Sequence, residues 1–388
     1  MTHQATSFHR RRFLQLAGLG SAAAAVPTST FATAAFAGPA NSTVRLSGDG
    51  VGLNSAQYAA LLHQLVDQKN IVPDSYSLGG VVEELEMQCA RVLGKERAIF
   101  MPTGTLANHM AVRALAGGAS RVVVQEESHL YQDEGDCAQT LSNLTLMPLA
   151  AGRATFSADG LERVLDQTKS ARVVSRVSAI SIETPVRRKQ GERFDPAELQ
   201  KVVAIARRDG IRLHLDGARI FLESAYSGVN VADYARPFDT VYVSLYKYFN
   251  AASGAMLAGP KSIIDGMYHG RRMFGGGLNH AWPFALIALH YLDGFGDRFG
   301  QAVTISEDFI RNLQRHDRFA VERVPLGTNL FRVRARETDS AAFQKRLAAA
   351  GIMLPAPQQD TFLVGVNETL NHTSAAQLTD AFVRALAG

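Results

Sequence analysis

Cysteine is nearly absent from these 388 residues: Cys89 and Cys137 are the only two. That number rules out a disulfide framework, and their separation of 48 positions is not a metal-ligand spacing. One disulfide or two separate thiols remain as readings. Charge of one sign is equally scarce, with 40 Lys and Arg against 36 Asp and Glu. Three of those Arg lie in the first 37 residues, which hold no acid, so without that segment the net charge falls from +4 to +1. No nucleic-acid partner is expected on so small an excess. Beyond residue 37 no apolar run approaches the roughly 20 residues that span a bilayer. What remains is a chain with 46% hydrophobic and 20% charged residues, the composition of a globular protein large enough for one big domain and a smaller one.

The N-terminus reads as a targeting segment. Arg10-Arg11-Arg12-Phe13-Leu14 precedes an apolar, Ala-rich stretch ending at Val26, and Ala35-Phe36-Ala37 offers small residues for cleavage. This is the pattern of a twin-arginine signal over residues 1–37, which implies export of a folded protein to the periplasm or beyond.

From about residue 80 onward, helical periodicity alternates with short β-branched runs, which argues for βα units and a mostly parallel sheet. Strands are expected over 97–101, 121–125, 173–183, 211–215 and 241–245. A crossover helix is delimited by Asp195 as cap, Pro196 in the first turn, Glu198 closing a capping box and Asp209-Gly210 as the stop, with Leu199, Val202, Val203 and Ile205 on its apolar face. Composition shifts near Asp293-Gly294-Phe295-Gly296, followed by strands expected over 329–333 and 362–366 and a helix over 341–350. The fold class is therefore α/β, divided into an arm over 38–73, a large domain over 74–295 and a small C-terminal α/β domain over 296–388.

Chemistry gathers at the carboxyl ends of the expected strands, where open α/β sheets hold their ligands. One strand ends in Asp216-Gly217-Ala218-Arg219 and the next leads into Ser244-Leu245-Tyr246-Lys247, with 31 positions between Asp216 and Lys247. An aspartate that keeps a pyridine nitrogen protonated and a lysine that forms a Schiff base are the two protein groups required by pyridoxal 5′-phosphate (PLP). Each alone is ordinary: a lysine at a strand end is usually solvated, and an aspartate there usually serves a turn. Together they point to PLP. Gly104 and Thr105, in a turn that opens a helix, suit a phosphate at the helix's positive end, and Ser244 adds a hydroxyl. His129, with Glu134 five positions on, suits stacking on the pyridine ring and proton handling.

In order and spacing these segments resemble the threonine aldolase and β-eliminating lyase family of fold type I PLP enzymes. The resemblance rests on Ala98 through Thr105, the helix to Asn108, His129 with Glu134, Leu213 through Phe221, Ser244 through Lys247, and Met273-Phe274-Gly275-Gly276-Gly277, and covers roughly residues 74 to 300. It implies an aspartate-aminotransferase-like fold, cofactor attachment at Lys247, ring-nitrogen pairing at Asp216, stacking at His129, phosphate contacts at Gly104 and Thr105, and contact of Arg219 with the phenolic oxygen or the substrate. It also implies an amino acid substrate and a homodimer or homotetramer, since Asp74-Ser75-Tyr76 resembles a segment that family members place near a neighbouring subunit's site.

Three departures bear on substrate. Leu278-Asn279 stands where the family has an arginine, Phe362 falls at the arginine that grips the substrate carboxylate, and Ser47-Gly48-Asp49 replaces Arg-Ser-Asp. Neither Asn nor Phe supplies a bidentate grip, which leaves Arg187, Arg188, Arg219 and Arg271 as replacements. Retro-aldol cleavage of a β-hydroxy-α-amino acid is the leading expectation. The alternatives are β-elimination, racemisation, transamination or a binding protein without catalysis.

Overall fold

The computed structural model describes residues 43–387; the twin-arginine segment lies outside them. Its strands are β1 (Val44–Arg45), β2 (Arg97–Met101), β3 (Arg121–Gln125), β4 (Thr145–Leu149), β5 (Val177–Glu183), β6 (Arg212–Asp216), β7 (Thr240–Ser244), β8 (Ala255–Gly259), β9 (Phe319–Arg323), β10 (Leu330–Ala335), β11 (Ile352–Met353) and β12 (Phe362–Gly365). Seven form the main sheet in the order β2-β8-β7-β6-β5-β3-β4, and every pairing among β4, β3, β5, β6 and β7 is parallel. β8 runs antiparallel to both its neighbours. An α/β fold with a mostly parallel sheet is thus what the chain adopts.

Both faces of this sheet are covered, and the strands show it residue by residue. Phe100, Val123, Ile180, Ile182, Leu213, Leu215, Val241 and Val243 pack into the large core on one face. Their alternates Ile99, Met101, Tyr242 and Leu257 pack on the other, against the helix that follows β2. On that second face the strand ends carry polar groups: Glu183 pairs in register with Asp216, and Asp216 with Tyr242, so three adjacent strands present one row. Ser244 lies two residues beyond Tyr242 on the same face.

The expected strands appear with shifts. The third begins at Val177, because Val173 and Val174 are exposed in a turn after the preceding helix. The fourth and fifth are displaced by one residue, to β6 and β7. The crossover helix spans Pro196–Asp209, with Asp195 accepting from Ala197 N and Glu198 N and Gly210 left-handed at its end. Its expected capping box does not form: the Glu198 carboxylate accepts from Ala158 N at 2.6 Å and from Lys201, tying two helices together instead. At the expected composition shift a 20-residue helix, Phe295–Gln314, begins, and its Phe295 packs with Phe221, Tyr248 and Phe249 while Phe299 stacks on Phe295. Beyond it β9, β10 and β12 form a three-stranded antiparallel sheet. Both cysteines are free thiols. No helix among the described residues is long and apolar enough to cross a membrane.

Candidate active site

The site lies at the carboxyl ends of β2, β3, β5, β6 and β7. Helix α1 (Ser55–Gln68) and helix α2 (Gly80–Val92) precede this sheet, and helix α3 (Gly104–Ala116) leaves the end of β2 to run over the polar row. Thr103 caps α3, its hydroxyl accepting from Leu106 N at 3.2 Å. The first-turn N–H groups of any helix lack intrahelical acceptors, so Gly104 and Thr105 present donors at the positive end of a helix dipole. Gly104 has to be glycine: a Cβ there would stand 2.1 Å from the Tyr242 hydroxyl oxygen. Nearby, Ser244 Oγ is buried and without a hydrogen-bond partner of sound geometry, although the Tyr242 hydroxyl approaches it.

Lys247 follows β7 in a loop clamped from above by the N-terminal arm. Gly50 is the contact point, since a Cβ on it would meet the Lys247 carbonyl at 2.5 Å and Asn250 Oδ1 at 2.3 Å, and Val51 N donates to that same Oδ1. The Lys247 ammonium lies 4.8 Å from the Tyr246 ring centre and 5.9 Å from that of Tyr242. Burial, and then the Arg219 charge, lower its pKa to about 8 against the pull of Asp216, Asp49 and Glu183. A buried amine this close to neutrality is a nucleophile at ordinary pH.

Asp216 ends β6, buried, with Oδ2 accepting from Asn108 Nδ2 at 2.8 Å and Oδ1 from Ala218 N at 3.1 Å. His129 opens a short helix, α4 (His129–Gln132), after β3. Its Nδ1 meets Glu134 Oε1 at 2.9 Å, and its main-chain N–H donates to Glu183 Oε2 at 2.6 Å. The Glu134 hydrogen bond raises the imidazole's pKa and outweighs the burial that opposes it. Burial, and then the Asp216 charge, push Glu183 up to about 7. One side-chain N or O atom from each of His129, Glu134 and Asp216 lies within 4.8 Å of the others. Arg219, three residues past Asp216, places Nε 2.9 Å from Asp49 Oδ2. Burial works against its charge, but Asp49 and Glu183 more than restore it.

A cavity of about 870 Å³ opens onto Lys247, His129 and Arg219, with Asp49, Arg45 and Arg187 on its walls. Of the residues read from the sequence, these first three and Arg187 face the cavity. Asp216 stands behind it, connected to His129 through Asn108 and Glu134. Gly104 and Ser244 meet at the Tyr242 hydroxyl, and neither they nor Thr105 are on the cavity wall. The residues not found from sequence are Asn108, Glu183, Tyr242 and His214, whose partners are distant in the chain; Asp49 was visible only as part of an altered segment.

The departures acquire a physical meaning here. Phe362 is fully buried on β12 with its ring 5.8 Å from Phe343, so it belongs to a core and not to a binding wall. Arg271 is also buried, its guanidinium donating to the carbonyls of Phe100, Tyr76 and Ser77. It cannot serve a substrate. Arg188 and Arg187 both lean on Asp133, and only Arg187 reaches the cavity.

The residues present fit PLP. The orphaned Ser244 hydroxyl and the α3 N-terminus suit a phosphate, the near-neutral Lys247 amine suits a Schiff base, and Asp216, in register with Tyr242, supplies a buried carboxylate for the ring nitrogen.

Comparison with known proteins agrees with this geometry. The beta-eliminating lyase family matches residues 69–336. A low-specificity L-threonine aldolase of Candida albicans is 27% identical over 212 residues, 54% of this chain and 56% of that protein. An alanine racemase, TOXG, of Cochliobolus carbonum is 29% identical over 218 residues, 54% of each chain. The chain thus spans little more than half the length of these curated relatives. Among solved structures, a Listeria monocytogenes protein assigned as an L-allo-threonine aldolase superposes with a TM-score of 0.71 at 28% identity, over 89% of this chain and 96% of that one. The chain belongs to the beta-eliminating lyase family, within the fold type I PLP-dependent enzymes.

Proposed function

We propose that this protein cleaves the Cα–Cβ bond of a β-hydroxy-α-amino acid, releasing glycine and an aldehyde, with PLP held on Lys247. The observation that carries the reading is the shared wall of one cavity: an amine brought near neutrality and an imidazole fixed by a carboxylate open on the same space. The names of the Candida and Listeria relatives support the same substrate class.

When bound, PLP supplies an electron sink for charge developing at Cα. The chain's own groups do the rest. Asp216 would pair with the ring nitrogen, while Ser244 and the amides of Gly104 and Thr105 would hold the phosphate. Arg219 would contact the phenolic oxygen or the substrate carboxylate, and Arg187 and Arg45 are the other wall cations able to receive that carboxylate. His129, oriented by Glu134, takes the proton of the β-hydroxyl, either directly or through a water. Exposed Tyr76, Leu78 and Met273 mark apolar surface near Asp74 that a second copy would cover in a dimer or tetramer, which sedimentation would test. The triple arginine at Arg10-Arg11-Arg12 supports export, which fractionation of tagged protein would test.

The deciding experiment incubates the PLP-loaded protein with threonine, allo-threonine and phenylserine and assays for aldehyde. Aldehyde from any of them supports the reading. Its absence from all of them overturns it, and inversion of alanine would instead favour the racemase named among the relatives.

A further inference from the structure

The ionisable groups of the site are not independent, because one buried amide ties them together. Asn108, on α3, is wholly enclosed. Its Nδ2 donates to Asp216 Oδ2 and to Glu134 Oε1, both at 2.8 Å, so each of the two amide hydrogens is spent on a different carboxylate. Its Oδ1 lies 3.0 Å from His214 Nε2.

The orientation of this amide is settled by chemistry. An oxygen turned toward two carboxylate oxygens would find no donor, so the nitrogen faces them. Burial keeps His214 neutral, its pKa lowered to about 4, so its ring has one N–H to give. With Nδ1 accepting from the Thr240 hydroxyl at 2.8 Å, that N–H sits on Nε2 and donates to Asn108 Oδ1. The chain Thr240–His214–Asn108 therefore ends in a fork. One prong rests on Asp216, and the other on Glu134, whose Oε1 also bonds His129 Nδ1 at 2.9 Å.

A proton placed on Glu134 Oε1 would compete there with the donors from Asn108 and His129. The amide cannot turn from one prong without abandoning the other and His214. The titratable and charged groups around the fork are His129 on α4, Glu134 just beyond it with the Cys137 thiol 3.7 Å from its Oε2, Glu183 on β5, Asp216 and His214 on β6, Tyr242 on β7, and Lys247 and Arg219 toward the cavity.

We propose that Asn108 is a positioning residue that couples Asp216 to His129, so that the carboxylate assigned to the cofactor's ring nitrogen and, through Glu134, the imidazole assigned to its face are held in register by one amide. The proposal rests on the PLP reading above for what the two residues serve, but the coupling itself belongs to the protein alone.

The test compares wild type with Asn108→Ala, Glu134→Gln and the double variant, reading PLP affinity and the pH midpoint of the cofactor's visible band. Each single change is expected to weaken PLP binding roughly tenfold to hundredfold, the worth of a charge-assisted hydrogen bond. The double change should be no worse than about the weaker single, because both cut the same link. The visible band's midpoint should move in both singles. Additive losses, or midpoints that stay put, would overturn the proposal.

Unfolding midpoints of the cofactor-free proteins identify a variant that fails to fold. In that event Thr240→Val, which touches no ionisable partner but His214, should move the band's midpoint by a smaller amount in the same direction, and no movement would count against the coupling. The His129 imidazole titration, followed by NMR without cofactor, separates the two ideas. It should shift in Asn108→Ala even if no Lys247-dependent visible band forms and the PLP reading fails.

Discussion

Arg219 and Asp49 meet at 2.9 Å across 170 positions of chain, and this pair closes the N-terminal arm over the cavity. The arm reaches its place through contacts made elsewhere. β1 pairs with β11, Gly365 N donates to Leu46 O, and Asn367 Nδ2 reaches the carbonyls of Arg45, Ser47 and Gly48. The altered segment Ser47-Gly48-Asp49 therefore keeps the one side chain that Arg219 needs. Asp49→Asn leaves a largely enclosed guanidinium without its hydrogen-bonded counter-charge and with only Glu183 to offset burial, at an expected cost of roughly 1–3 kcal/mol in unfolding free energy. The urea midpoint checks this, and combining it with Arg219→Met should cost less than the two changes summed.

Lys247 sets a pH dependence. With a pKa lowered to about 8 from 10.5, the amine gains nucleophilicity as pH rises through about 8. At pH 7 roughly one amine in ten is then neutral, against about one in three thousand for an unperturbed lysine. The rate at which cofactor-free protein captures PLP should climb through that window and level off above it. Lys247→Ala should show no covalent capture at any pH. A rate still rising steeply toward pH 10 would contradict the burial argument.

Gly104 has no room for a side chain. Gly104→Ala drives a methyl into the Tyr242 hydroxyl, and removing that hydroxyl does not help, since the ring carbon bearing it lies only 2.6 Å from the same point. Gly104→Ala should cost about 1–3 kcal/mol as an overpacked contact and weaken PLP binding by shifting the α3 amides. Tyr242→Phe should not rescue it. Thermal unfolding and PLP titration of the single and double variants report the two effects separately.

Glu223 is a buried acid away from the cavity, its carboxylate accepting from the Thr184 hydroxyl at 2.7 Å. Burial raises its pKa to about 7 from 4.5. The folded state holds this proton more tightly than the unfolded one. The resulting stability is therefore complete below pH 4.5 and is lost as pH rises through about 7. Glu223→Gln removes that dependence. Relative to wild type it should gain up to about 3 kcal/mol on going from mildly acidic to mildly alkaline pH. Melting curves at the two pH values test the sign.

The strand ends were legible because hydrophobic alternation and β-branched runs are local signals. β2 and β3 matched the sequence reading residue for residue, and β6 and β7 missed by one. β8 was not anticipated: Ala-Met-Leu-Ala-Gly has no β-branched residue, and it is a strand only because β2 and β7 flank it. The capping box at Glu198 failed for a related reason, since a backbone N–H forty positions away outcompeted the local one.

Lys247, Asp216, His129, Arg219 and the Gly104–Thr105 turn stood out as candidates in the sequence because each stands beside a strand end in a recognisable local string. Sequence alone also determined the fold class, because two-residue and helical periodicities are written along the chain itself. Only the tertiary structure decided what these residues face. It put Asn108 between Asp216 and Glu134, gave Arg219 to Asp49, and buried Phe362 and Arg271 where no substrate reaches. Hydrogen bonds and burial depend on which distant strands become neighbours, and sheet order is a property of the folded chain that no local pattern encodes.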